Sequence, residues 1–218
     1  MGKRVHNSLP VAREGLPFIG LGVALTAVFF LLDMAAPFLV AGVLTVFTVY
    51  FFRDPDRLQE VTERTVLAPA DGRVVDIQVL DGKDNLLGES AVKVSVFMSL
   101  FNVHVNRIPA RGRISDITYQ PGRFVSANLD KASEQNENNR ITLQTGGGAH
   151  IVFVQIAGLI ARRIACWVRE GDDVTAGQRF GLIRFGSRVD IYLPRNTRIV
   201  VGKAQKVKGG ETILGYLP

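Results

Sequence analysis

Within the stretch Arg184-Phe185-Gly186-Ser187-Arg188-Val189-Asp190-Ile191-Tyr192-Leu193-Pro194, one dipeptide could do chemistry on its own backbone. The flanking residues are apolar or β-branched and alternate with charge, so Gly186-Ser187 is expected between two strands. The Ser187 Oγ lies one atom beyond Cβ and reaches the Gly186 carbonyl if the turn is strained. Glycine both permits such a turn and leaves that carbonyl unshielded. Attack would convert the peptide bond into an ester, and elimination would leave dehydroalanine at a new N-terminus. Dehydroalanine hydrolyses to a pyruvoyl group and ammonia. A pyruvoyl carbonyl is an electron sink that forms a Schiff base with a substrate amine and accepts the carbanion electrons when carbon dioxide leaves. Taken alone, Gly-Ser is an ordinary turn.

Such an attack needs a base for the serine proton and an acid for the departing nitrogen, roles that suit histidine. The chain has three histidines. His6 lies in the N-terminal tail, and His150 follows the turn-like run Gly146-Gly147-Gly148-Ala149. His104 is flanked by valines, with Asn102 and Asn106 two residues away, so in an extended strand these three side chains share one face. Asp71, in Ala-Pro-Ala-Asp-Gly, reads locally as an Asp-Gly turn. Cys166, the only cysteine, sits in an apolar run and is expected to be buried, with no intrachain disulfide and no cysteine-rich metal site.

These residues must be held by the rest of the chain. Leu16 to Leu32 gives 17 residues without charge and Met34 to Phe52 another 19, separated by Asp33. Each is near the ~20 residues that cross a bilayer. Asp33 and Pro37 provide a break, so 16–52 is expected to form a membrane-associated helical hairpin after a basic tail, 1–15. Lys3, Arg4 and Arg13 before it and Arg53 and Arg57 after it place both ends on the cytoplasmic side of the cell membrane. A signal peptide is disfavoured, since no small-residue cleavage site precedes the second, equally apolar stretch. The net charge of +6 and a pI near 9.8 suit an anionic membrane surface; no motif for nucleic acid accompanies them.

From Thr65 onward the pattern changes to short strands separated by Gly, Asp and Asn: 73–80, 91–98, 112–119, 140–144, 151–156, 164–168, 180–185, 189–193 and 198–201. Without intervening amphipathic helices this spacing predicts a mainly β domain over 53–218. The polar stretch 125–139 reads as a short helix and loop. Residues 168–182 look like the end of a biotinyl or lipoyl carrier module, which suggests a barrel-sandwich-like core. It also raises a rival function, a membrane-anchored carrier or adaptor without enzymatic activity. The lysine-bearing hairpin that a carrier needs is absent, since Asp130-Lys131-Ala132 lies between polar flanks.

Phe-Gly-Ser-Arg-Val-Asp with Tyr-Leu-Pro, after Val-Arg-Glu-Gly-Asp (168–172) and Ala-Gly-Gln-Arg-Phe-Gly (176–181), closely resembles the C-terminal signature of phosphatidylserine decarboxylases of the short bacterial and archaeal type. Further matches are Phe-Phe-Arg-Asp-Pro-Asp-Arg (51–57), Ala-Pro-Ala-Asp-Gly (68–72), Met-Ser-Leu-Phe-Asn-Val-His-Val-Asn-Arg-Ile-Pro (98–109) and Leu-Asp-Lys-Ala-Ser-Glu (129–134), in order along nearly the whole chain. The resemblance implies serinolysis at Gly186-Ser187, a covalent pyruvoyl cofactor from Ser187, and decarboxylation of phosphatidylserine to phosphatidylethanolamine. It also implies a β chain of 1–186 and an α chain of 187–218 that stay associated. It assigns His104 an acid/base role and Asp71 that of the carboxylate, and it calls for no metal. Longer members carry a second histidine three residues beyond the first, where this chain has Arg107. Arginine stays protonated, so either His104 serves both steps or Asp71 acts on Ser187 more directly. Arg107 is left as a candidate for the substrate phosphate or carboxylate, and Ser126 and Asn128 loosely match a substrate-facing stretch. Diacyl or ether lipid tails and homo-oligomerisation are left open.

Overall fold

The computed structural model describes residues 10–57, 59–82, 84–122, 136–158, 163–184 and 186–218. After a short 3-10 turn at Arg13–Gly15, α1 (Leu16–Leu31) and α2 (Ala35–Phe51) form an apolar pair. Leu21, Phe30, Leu31, Leu39, Val43 and Val46 are each more than half exposed, a surface suited to lipid. The chain reverses at Asp33, whose φ is +57°, and Pro37 falls in the first turn of α2, where its missing N–H is not needed. A Cβ on Gly22 would come within 2.5 Å of Thr45 Oγ1, so glycine allows the two helices to close. Among the described residues one helical stretch, 13–31, is long and apolar enough to cross a membrane, whereas Ala35–Phe51 is shorter. Its 17 residues span about 25 Å against a hydrocarbon core of about 30 Å. This unit ends at Asp56; Arg57 to Pro218 is a second compact unit.

The second unit is mainly β. Its strands are β1 (Thr65–Leu67), β2 (Gly72–Leu80), β3 (Ala91–Met98), β4 (Val105–Arg107), β5 (Gly112–Gln120), β6 (Asn138–Thr145), β7 (His150–Ile156), β8 (Ile164–Cys166), β9 (Asp173–Val174), β10 (Arg179–Ile183), β11 (Ser187–Pro194), β12 (Arg198–Ile199), β13 (Lys206–Val207) and β14 (Ile213–Tyr216). A curled eight-stranded antiparallel sheet runs β13-β2-β3-β11-β7-β6-β5-β9, accompanied by two three-stranded sheets, β4-β10-β8 and β1-β14-β12. Alternate residues of the central strands fill one core: Val92, Val94, Val96 and Met98 of β3 meet Val189, Ile191 and Leu193 of β11, with Ile151 and Phe153 of β7 beyond. Phe153 packs edge-to-face on Phe180 of β10 at 4.9 Å between centroids, joining the large sheet to the small one.

The charges that alternate along β11 are not solvated. Arg188 and Asp190 are buried and joined by two contacts, Nε to Oδ1 at 2.9 Å and Nη2 to Oδ2 at 3.0 Å. They share the second face of the sheet with Val152, Val154, Ile156 and Tyr192, against which Leu87 packs. Three expectations, including the burial of Cys166, are corrected. Asn138 and Asn139 begin β6 instead of ending a loop, because their polar side chains are paired inside the fold; the rest of that stretch, 125–135, lies outside the described residues. The strand expected over 164–168 ends at Cys166, which is exposed, because β8 is the edge of its sheet.

Candidate active site

The Gly186-Ser187 bond lies where the chain crosses between sheets. β10 belongs to the small sheet and ends at Ile183; β11 belongs to the large sheet and begins at Ser187. Gly186 has φ +58°, in the left-handed region, with no atom near the place a Cβ would occupy. Ser187 pairs with Met98 and shares the parity of Val189 and Ile191, so its side chain is on the core face. It is fully buried, and its Oγ has no hydrogen-bond partner. A buried hydroxyl without a partner costs about 1–3 kcal/mol, which calls for a compensating role.

His104 is fully buried immediately before β4, and Ile183 N–H donates to its carbonyl at 3.4 Å. The histidine therefore stands across from the residue three positions ahead of Gly186. Asn106, two residues on, turns inward in β4, opposite Gly181 of β10. Asn102 does not continue this line: it closes the preceding turn, its Oδ1 accepting from Ser99 N at 2.9 Å and Ser99 Oγ at 2.8 Å.

The Ala-Pro-Ala-Asp loop is drawn alongside β4 by Arg107 N–H, which donates to Pro69 O at 2.8 Å. Asp71 at its end is held by the Arg57 guanidinium, Nη1 on Oδ1 and Nη2 on Oδ2 at 2.9 Å, and by Gly209 N–H at 2.8 Å. Arg57 also donates to Gly209 O at 2.6 Å and lies 3.3 Å from Glu211 Oε1. The partner that the fold gives Asp71 is thus an arginine 14 residues earlier, absent from the candidates drawn from sequence. Arg107 is buried, donates to Gly177 O at 3.1 Å and packs its Cδ where Gly210 leaves room, so it clamps loops together. Ser126 and Asn128 lie outside the described residues.

A second signal that the sequence reading passed over is a row of buried carboxamides. Asn139 Nδ2 donates to Gln155 Oε1 at 3.0 Å, and Gln155 Nε2 donates to Asn106 Oδ1 at 2.8 Å. Gln155 shares the parity of Ile151 and Phe153, and a glutamine on a core face is the pattern that could have flagged it. An open cavity of about 700 Å³ adjoins Asp71 and is lined also by Phe97, Asn102, Arg73, Lys206 and Lys208. Phe97 alternates with Met98 along β3 and so faces away from the core side that holds Ser187, and the three cations suit an anionic group. Among the described residues no three His, Cys, Asp or Glu side chains gather to hold a metal.

The family model for phosphatidylserine decarboxylase matches residues 44–215. The phosphatidylserine decarboxylase proenzyme of Syntrophus aciditrophicus is 49% identical over 211 residues, covering 96% of this chain and 98% of the relative. That of Desulfotalea psychrophila is 48% identical over 213 residues, covering 98% and 99%. That of Burkholderia mallei is 46% identical, covering 95% of each. Neither the match nor these names favours a carrier. The chain belongs to the phosphatidylserine decarboxylase family of enzymes.

Proposed function

We propose that this enzyme decarboxylates phosphatidylserine to phosphatidylethanolamine at a pyruvoyl group that it makes by cleaving itself between Gly186 and Ser187. The observation that carries the reading is the buried Ser187 Oγ, unpartnered and placed directly after a glycine in the left-handed region. This is an arrangement that fits conversion of Ser187 and serves no packing purpose of its own. His104 takes the proton of Ser187 Oγ as it adds to the Gly186 carbonyl and returns it to the nitrogen that leaves. Once formed, the pyruvoyl group supplies the electron-accepting carbonyl for loss of carbon dioxide. His104 then holds the proton that replaces carbon dioxide on the substrate carbon. Asp71, fixed by Arg57 and Gly209, keeps its loop against β4, and Arg73, Lys206 and Lys208 attract the lipid phosphate into the adjoining cavity.

The two products stay together after the cut. β11 pairs with β3 from Ser187 to Pro194 and with β7 from Arg188 to Tyr192, and β14 pairs with β1, so the α chain is laced into the β chain's sheets. The apolar helices hold the enzyme at the bilayer where its substrate resides, with the basic flanks on the cytoplasmic side. The purified protein is expected to release carbon dioxide from phosphatidylserine vesicles and not from free serine, and Ser187→Ala is expected to abolish it. Turnover by that variant, or turnover of free serine at a comparable rate, would overturn the reading.

A further inference from the structure

We propose that Asn106 donates a hydrogen bond to the Gly186 carbonyl oxygen as Ser187 adds to it, and that Gln155 and Asn139 are positioning residues for that donor. The proposal deepens the self-cleavage reading and rests on it. β11 lies between β3 and β7. Asn106 reaches both neighbours: its Nδ2 is 3.6 Å from Met98 Sδ on β3, and its Oδ1 accepts from Gln155 Nε2 on β7. A single carboxamide touching both flanking strands lies across the core face of β11. The register identifies the rows beneath it, since Met98 is opposite Ser187 and Gln155 is opposite Val189.

The order of the amides sets which end of Asn106 faces the cut. Asn139 Nδ2 occupies Gln155 Oε1, so Gln155 must present its N–H to Asn106. Asn106 then accepts with Oδ1 and turns its NH₂ toward the Met98 and Ser187 row. A thioether is a weak acceptor, so at least one of those N–H bonds lacks an oxygen to donate to. Gln155 and Asn106 are fully buried and Asn139 nearly so, in surroundings where such a donor is strong. A Cβ on Gly181 would come within 2.8 Å of Gln155 Nε2, so glycine there makes room for the chain. In the step itself the Oγ–C bond forms, the hydroxyl proton passes to the base, and the carbonyl π pair moves onto oxygen. That oxygen is the atom Asn106 stabilises. When the pair returns, the C–N bond breaks and the nitrogen takes the proton.

Reversing the amides tests this with nearly isosteric changes. An ionised glutamate in Gln155→Glu accepts from both neighbours and turns Asn106 Oδ1 toward β11. Asn139→Asp does the same one link further out, by drawing Gln155 Nε2 away from Asn106. Protonation of either carboxyl restores a donor and the original order. Burial raises the pKa of such a carboxyl, bringing its titration toward neutrality. The charged or titratable side chains on the elements packed around Gln155 are His104 just before β4, Arg107 of β4, Arg179 of β10, Cys166 of β8, Arg140 of β6, and Arg188, Asp190 and Tyr192 on the far face of β11. Because several of these are common to all variants, the readout is the variant rate relative to wild type at each pH.

Full-length chains made by cell-free translation into phosphatidylglycerol vesicles, arrested and shifted to between about pH 5 and 9, would be followed for scission. The expected result is cleavage slowed on the order of a hundredfold at alkaline pH in both variants, with recovery toward wild type as the pH falls. Wild-type rates at every pH in either folded variant, or slowing that acid does not relieve, would overturn the amide proposal. A wild-type chain that never divides would instead overturn the self-cleavage reading.

Discussion

Removing the Ser187 hydroxyl should stabilise the uncut chain. The side chain is fully buried and its Oγ has no hydrogen-bond partner, so the precursor carries the desolvation cost of one hydroxyl, about 1–3 kcal/mol. Replacing it with alanine leaves a void of one oxygen atom, which offsets a few tenths of a kcal/mol at about 24 cal/mol per Å³. The net gain is about 1–2.5 kcal/mol. For a domain of this size each kcal/mol moves Tm by about 2–4 °C, so the shift should be roughly 2 to 10 °C upward. The comparison requires two uncut chains, His104→Asn and the double variant His104→Asn/Ser187→Ala, melted in the same detergent. A double variant that melts at or below the single one would refute the reasoning, because Ser187 would then be satisfied in the precursor and not poised for attack.

Arg57→Ala leaves Asp71 buried with Gly209 N–H but without its guanidinium, and breaking a buried pair of this kind costs about 3–5 kcal/mol. Arg57→Lys should recover only part of that in a denaturation experiment, since a point charge cannot engage both carboxylate oxygens. Partial desolvation raises the Cys166 thiol pKa, outweighing the lowering influence of its contacts with Val168 and Asn139, while the residue is exposed at a sheet edge. Less thiolate is therefore present at neutral pH than in a free cysteine, so maleimide should label Cys166 more slowly than a cysteine peptide, with the gap closing as pH rises.

The strands legible in the sequence were those long enough to display alternation. β3 was expected over 91–98 and is Ala91–Met98, because Val92, Val94 and Val96 alternate toward one core. β1, β4, β9, β13 and β14 have two to four residues each, too few to show a period, and they exist through pairing with distant segments. Gly186-Ser187 could be singled out as the candidate cleavage dipeptide because the chemistry proposed for it is local. Its surroundings were not legible. Arg57 and Asp71 meet only after the chain has folded, and Gln155, Asn139 and Asn106 come from three strands whose adjacency no local pattern encodes. The buried Arg188–Asp190 pair reads in sequence like the polar side of an amphipathic strand, and only the covering Leu87 and the neighbouring Tyr192 reveal it as interior.

The most direct test of the account is the intact mass of the purified protein under denaturing conditions. It predicts two species divided after Gly186, the smaller one being the 32-residue segment Ser187 to Pro218 lighter than its plain peptide by the elements of ammonia. A single uncut chain from a folded preparation that decarboxylates phosphatidylserine would contradict it.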